Sequence, residues 1–154
     1  MITIIAMGQL RETWLREAVS EYEKRLSAYT KLKTIELEPP RDELTTSASA
    51  AKKFMAAIPP RAYKIALCVE GKEISSEELA SRLAGVLSGT EGPADGIAFI
   101  IGGADGLPEE IKASCRWRLS FSRMTFPHQL MRVILLEQLY RAFNINANGK
   151  YHKV

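Results

Sequence analysis

The chain has 154 residues, of which 46% are hydrophobic and 25% are charged. This composition is typical of a single folded domain over residues 1–154, and it excludes collagen-like, low-complexity and disordered chains. The two cysteines, Cys68 and Cys115, are too few for a disulfide framework and have no metal-ligand spacing, so we expect no metal. No apolar run is long enough for a membrane span and no signal-peptide pattern is found, so we expect a cytoplasmic protein.

The formal net charge of +3 is unevenly distributed. Residues 112–154 contain eight Lys or Arg and one acidic residue and carry +7, whereas residues 1–111 carry −4. Phosphate contacts supply most of the affinity of proteins for nucleic acids, so this asymmetry indicates a polyanionic partner. The alternative is a basic surface that serves only solubility or subunit contacts.

Strand-like and helix-like segments alternate along the chain. The predicted strands are 1–7, 32–37, 63–69, 97–101 and 117–121, and the predicted helices are 14–29, 44–58, 75–86, a short one from 108 that includes Cys115, and 127–143. A polar loop at 41–43 precedes the second helix, and Ser75 with Glu78 predicts a capping box at the third. The alternation predicts an α/β fold with a mostly parallel sheet flanked by helices.

The last predicted helix is apolar around nearly its whole circumference, from Leu130 to Phe143. A helix with this pattern is buried on two sides, and one sheet face covers only one of them. The second side is predicted to contact a partner subunit, so we expect a homodimer.

Ligands of open parallel sheets bind beyond the carboxyl ends of the strands, here after Val69, Ile101 and Phe121. The glycine-rich segment 102–106 allows the backbone to approach a ligand closely. It lacks the spacing of dinucleotide-binding and Walker A loops, and the alternative is a simple tight turn.

The loop 122–127 offers backbone groups to a planar heterocycle or a phosphate. The helix after it places His128 and Arg132 four residues apart, on one face. The positive end of the helix dipole disfavours a protonated histidine, so His128 is predicted to be neutral and able to accept a proton. The alternative is a purely structural histidine.

The end of the chain combines an aromatic ring with basic groups. Tyr151 offers a face for stacking, and His152 and Lys153 can reach phosphates. The alternative is a frayed terminus.

Five segments of the chain together carry a resemblance. They are Leu67 with 70–72, the stretch 99–107, the stretch 119–132 with its Pro-His-x-x-x-Arg element, the stretch 137–142, and Tyr151-His152. The chain resembles, over essentially its whole length, the bacterial 23S rRNA (pseudouridine-N3)-methyltransferases of the SPOUT (trefoil-knot) class.

The resemblance implies a deep C-terminal trefoil knot and S-adenosylmethionine as the cofactor. It assigns cofactor binding to Leu67, Gly102, Ser122, Arg123, Met124, Thr125, Phe126 and Pro127. It also implies a homodimer in which the partner's C-terminal tail helps to complete each active site. The implied substrate is a pseudouridine of 23S rRNA, methylated at N3 in the assembled ribosome.

On this reading N3 must lose its proton before it attacks the methyl group. His128 or His152 is the expected base, and Arg132 is expected to stabilise charge on the imidate oxygen. Tyr151 is the candidate for stacking on the base and Lys153 for a phosphate contact. Three alternatives stay open: a catalytically silent ribosome- or RNA-binding module, a related enzyme acting on tRNA, and a generic nucleotide-binding domain.

Overall fold

A computed structural model describes residues 1–40 and 46–153. The strands are β1 (Ile2–Met7), β2 (Leu32–Leu37), β3 (Tyr63–Glu73), β4 (Ile97–Ile101) and β5 (Trp117–Ser120). The helices are α1 (Thr13–Leu26), α2 (Thr46–Ala57), α3 (Ser76–Leu87), α4 (Glu109–Ser114) and α5 (His128–Asn146). The predicted loop 41–43 and the predicted start of the second helix at 44 lie outside the described residues.

The five strands form one parallel sheet in the order β2-β1-β4-β3-β5. Every residue of β1 and β4 is buried, which agrees with their continuous apolar sequences. The predicted α/β fold with a parallel sheet is therefore confirmed.

Helices cover both faces of the sheet. On one face α1, α3 and α5 pack on Ile4, Ile65 and Phe99. On the other face α2 and α4 pack on a layer with smaller side chains, including Ala66 and Ala98. Successive strand residues therefore alternate between two cores.

Helix α5 lies between α1 and α3 on the same face. From His128 to Ile145 every residue is buried or half-buried, in agreement with the largely apolar sequence of the helix. Neighbours within the same chain thus account for much of the burial that the sequence argument assigned to a partner subunit.

Strand β3 is longer than predicted. The sequence predicted that β3 ends at Val69, before residues 70–72. Instead, Leu119 of β5 pairs first with Leu67 and, after a register shift, also with Lys72. The intervening residues bulge, and a Cβ added at Gly71 would lie 2.6 Å from the Leu119 carbonyl carbon. Pairing with a strand almost fifty residues later extends β3, and no local pattern encodes it.

The ends of two helices can be compared with the sequence predictions. The capping box is confirmed, since the Glu78 amide donates to Ser75 Oγ at 3.1 Å and the Ser75 amide donates to Glu78 Oε2 at 2.7 Å. Cys115 follows α4 instead of lying within it. No helix among residues 1–40 and 46–153 is long and apolar enough to cross a membrane.

Candidate active site

A cavity of about 650 Å³ opens at the carboxyl ends of β3, β4 and β5. This is the edge at which parallel sheets bind ligands, and the volume is typical of a small-molecule site. Seven of the eight residues predicted to bind the cofactor line it, namely Leu67, Gly102, Ser122, Met124, Thr125, Phe126 and Pro127. Three segments distant in sequence therefore meet in one cavity.

The glycine segment forms a tight turn in the cavity wall. The Gly106 amide donates to the Gly103 carbonyl at 3.1 Å, and Gly106 has φ +76°. A Cβ added at Gly102 would lie 2.3 Å from the Gly106 carbonyl carbon and 2.7 Å from the Leu107 nitrogen. The absence of a side chain at Gly102 is required by the fold of the turn itself as well as by any ligand.

The loop 122–127 is held by its own hydroxyl groups. Ser120 Oγ donates to the Ser122 carbonyl at 2.9 Å, and Ser122 Oγ accepts from the Met124 amide at 3.0 Å. Arg123 is the member of the predicted set that does not line the cavity. Its side chain is 92% exposed, with Nε 3.8 Å from a carboxylate oxygen of Glu73.

An ion-pair cluster stands beside the cavity. The Lys112 ammonium contacts Glu70 and lies 3.0 Å from Glu109, which also pairs with Arg118 at 2.8 Å. The hydrogen bond from Lys112 lowers the pKa of Glu70. The positive charge of Lys112 is therefore committed to these carboxylates.

His128 is the first residue of α5 and lines the cavity. Burial lowers the pKa of His128 below its usual 6.5, and the nearby Arg132 and Arg11 cations lower it further. The ring is thus favoured in its neutral form, the direction expected from its position at a helix N-terminus.

Arg132 does not line this cavity. Its side chain is 2% exposed and donates to Glu36 Oε1 at 2.6 Å from Nη1 and to the carbonyl oxygen of Gly8 from Nη2. The helical spacing places it on the same face as His128, but this face packs against the ends of β1 and β2. The two side chains are therefore near each other, as the spacing predicts, but His128 faces the cavity and Arg132 points into the core.

Tyr151 and His152 also lie outside the cavity of their own chain. The Tyr151 hydroxyl donates to Glu137 Oε1 at 3.1 Å, and the Tyr151 and Tyr140 rings pack edge to face at 4.8 Å. A hydrogen bond with Tyr22, followed by burial and by Glu137, raises the pKa of Tyr151. The tail is thus ordered on α5 up to His152 and is not frayed there.

The ring of His152 lies between Arg141 and Glu77. Nδ1 is 3.2 Å from Arg141 Nη1 and Nε2 is 2.8 Å from Glu77 Oε1. A guanidinium only donates and a carboxylate only accepts, so Nδ1 as acceptor and Nε2 as donor would satisfy both contacts. The hydrogen bond from His152 contributes most to lowering the pKa of Glu77 to about 2.

Sequence reasoning did not single out Glu77, Glu137 or Arg141 as site residues. The available signal is the spacing of Glu137 and Arg141, which form a salt bridge one helical turn apart. The contact of Glu77 with His152 spans 75 residues, and no local pattern indicates it.

Much of the basic charge of residues 112–154 is neutralised in space. Lys112, Arg118 and Arg132 pair with carboxylates from the rest of the described chain or from α4, and Arg141 pairs with Glu137. The charge asymmetry along the sequence therefore overstates the asymmetry of the surface. Within the described residues, the exposed basic residues of this stretch that form no ion pair are Arg116, Lys150 and Lys153.

The lining of the cavity suits a small ligand that combines a heterocycle with a positive charge. Its walls combine apolar side chains with irregular backbone at 102–106 and 122–127, whose polar groups suit a heterocycle edge. Asp105 adds a carboxylate with no ion pair among the described residues. No cluster of three potential metal ligands occurs in the described parts of the chain.

Comparison with known proteins identifies the family. The family model described as predicted SPOUT methyltransferase matches residues 1–152, and the chain belongs to this family. Membership confirms the predicted class of enzyme, implies the trefoil knot in the C-terminal part, and makes S-adenosylmethionine the methyl donor.

Relatives match over the whole chain. Proteins named ribosomal RNA large subunit methyltransferase H are 47% identical in Clostridium novyi and 42% identical in Clostridioides difficile, each over 99% of both chains. A probable methylase family protein of Haemophilus influenzae has a similar fold, with a TM-score of 0.58 at 17% identity, covering 99% of this chain and 70% of that one.

Proposed function

We propose that the chain is one methyltransferase domain that methylates N3 of a pseudouridine in 23S rRNA, in the assembled ribosome, with S-adenosylmethionine as donor. The observation that carries the proposal is the convergence of Leu67, Gly102 and the loop 122–127 on one cavity. Full-length similarity to proteins named large subunit rRNA methyltransferases supports the substrate. We further propose a cytoplasmic location, where ribosomes are found.

Methyl transfer requires mainly that the protein hold the methyl donor and the nucleophile in the correct orientation. When bound, the cofactor supplies an electrophilic methyl group on a sulfonium sulfur. Leu67, Gly102 and the loop 122–127 would hold it, and the apolar wall would exclude water from the reacting atoms. An in-line attack by N3 then needs a group that removes the N3 proton.

His128 is the better placed base within one chain. It lines the cavity, and its lowered pKa keeps the ring ready to accept a proton. Both ring nitrogens of His152 are in contact with other residues of its own chain, Nδ1 with Arg141 and Nε2 with Glu77. His128 is therefore proposed as the base, and His152 remains the alternative.

We propose a homodimer in which the tail of each chain completes the cavity of its partner. Tyr151 and His152 do not reach their own cavity. Val69 and Met124 line it yet are 45% and 73% exposed, which leaves an apolar rim for a second chain to cover. In this arrangement Tyr151 would stack on the extruded base and Lys153 would contact a phosphate.

The test uses ribosomes from a strain that lacks the modification. Purified protein and S-adenosylmethionine should methylate 23S rRNA in whole ribosomes, at a pseudouridine located by mass spectrometry of rRNA fragments. Free 23S rRNA and tRNA serve as competing substrates. Cofactor binding with no transfer to ribosomes would indicate another substrate, and ribosome binding without cofactor affinity would indicate a silent module.

A further inference from the structure

Arg132 is a charged group sealed inside the fold. Its side chain is 2% exposed, and its Nε has no hydrogen-bond partner among the described residues. Removing a guanidinium from water carries a desolvation penalty, and an apolar side chain of similar size often stabilises a fold at least as well. A stabilising role alone is therefore a weak reason for this arrangement.

The guanidinium joins three elements. Nη1 donates to Glu36 in β2, and Nη2 donates to the Gly8 carbonyl and, at 3.4 Å, to the Met7 carbonyl at the end of β1. The Gly8 amide donates to the Leu37 carbonyl at 2.7 Å. Through Arg132, α5 is thus fixed to the carboxyl ends of two neighbouring strands.

The segment that Arg132 holds lies directly behind the cavity wall. A Cβ added at Gly8 would lie 3.7 Å from His128 Nε2, and one added at Gly103 would lie 3.2 Å from Met7 Cγ. Gly8 has φ +86°, a conformation that few residues other than glycine adopt. Met7 and Gly8 therefore stand against the histidine on one side and against the glycine turn on the other.

We propose that Arg132 is a positioning residue: it fixes Met7 and Gly8 and thereby sets the place of His128 and of the glycine turn in the cavity. It acts through these neighbours and does not touch the substrate. This proposal rests on the proposed function only in taking the cavity as the methyl-donor site. It replaces the expected contact of Arg132 with the imidate oxygen.

The first test substitutes Arg132→Lys, which keeps the charge but loses the planar fork that reaches two elements at once. The chain has two histidines, so His128 and His152 can be followed separately by NMR in cofactor-free protein. We expect the His128 resonances to shift while those of His152 stay in place. Calorimetry should show a roughly tenfold loss of affinity for S-adenosylmethionine, the size expected when one hydrogen bond to the ligand is lost.

Arg25→Lys is the matched control, because Arg25 forms an exposed ion pair with Glu21 in α1. It should leave the His128 resonances and the affinity unchanged. If Arg132→Lys does not fold, Glu36→Gln provides the second variant, since it keeps the shape and an acceptor oxygen but removes the charge of the partner. The same shift of His128, with a smaller loss of affinity, is expected.

Two results would overturn the proposal. A lower melting temperature with unchanged His128 resonances and cofactor affinity would show a structural role only. Unchanged resonances and affinity with loss of methyl transfer would show direct action on the substrate. Failure of the wild-type protein to bind S-adenosylmethionine would instead contradict the proposed function, so the two failures are distinguishable.

Discussion

At Gly102 a single added methyl group would collide with the chain's own backbone at Gly106. Gly102→Ala should therefore displace the glycine turn and lower affinity for S-adenosylmethionine by tenfold or more, roughly the cost of misplacing a binding group. Isothermal titration measures the loss. A side chain at Gly102 would therefore disturb the turn itself as well as obstruct a ligand.

The control for this substitution is Gly85→Ala in α3. A Cβ there would meet only side-chain atoms, of Glu91 at 3.1 Å and Thr90 at 3.2 Å, which can move aside. Alanine is also the better helix former. Equal losses of affinity in the two variants would show that the effect at Gly102 is not local to the cavity.

The lowered pKa of His128 predicts how kcat/KM depends on pH. Its pKa lies below the usual 6.5, so more than half of the rings are neutral at pH 6.5 and half-protonation requires more acidic solution. The profile of kcat/KM should fall towards acid with its midpoint below pH 6.5. A rising limb centred above pH 6.5 would assign the essential base to another group.

The same shift affects stability, with the sign set by the unfolded state. The unfolded chain takes up the proton first as the pH falls through 6.5, so stability decreases below that pH. His128→Gln should lessen this acid-induced loss of stability in urea titrations.

At the scale of elements, the bulge between β3 and β5 depends on Gly71. Three backbone atoms of Arg118 and Leu119 would lie within 2.8 Å of an added Cβ. Gly71→Ala should separate the strands and cost roughly 1–3 kcal/mol of unfolding free energy, as overpacking does. Urea denaturation measures it, with the exposed Lys72→Ala as control; equal stability of the two variants would contradict the close approach.

Elements with a local signal were predictable from the sequence. The apolar β1 and β4 and the capping box at Ser75 depend on neighbours a few residues away, and all three are as expected. The extension of β3 was not predictable, because its partner Leu119 is remote in sequence.

The same distinction between local and remote contacts applies to the residues of the candidate site. Gly102 and the loop 122–127 could be found because a strand end and its loop are adjacent in sequence. The burial of Arg132 against Glu36 could not be predicted, because Glu36 is 96 residues away in the sequence. An arginine four residues after a histidine has the same spacing whether its side chain points to a ligand or to the core.

Taken over both subunits, the proposed dimer predicts complementation between two chains that are each impaired, assayed at a cofactor concentration too low for the Gly102→Ala chain. One chain carries Gly102→Ala and keeps its tail; the other ends at Lys150 and keeps its cavity. If each tail serves the partner, a one-to-one mixture refolded together should regain about a quarter of the wild-type sites, because half of the dimers are mixed and each has one complete site.

The measurement is methyl transfer to ribosomes by the mixture, compared with each chain alone. Analytical ultracentrifugation of the same samples establishes the oligomeric state. A mixture no more active than its parts, although dimeric, would show that each tail acts within its own chain.

The strand order also determines when the sheet can be completed during synthesis of the chain. Residues 2–6 of β1 pair with residues 97–101 of β4, and α1 packs on α5, the last helix to be made. A nascent chain therefore leaves the β4-facing edge of the largely apolar β1 unpaired until about two-thirds of the chain has been translated. Such non-local pairing slows folding and favours aggregation, so we expect this protein to need chaperone protection while its own ribosome is still at work.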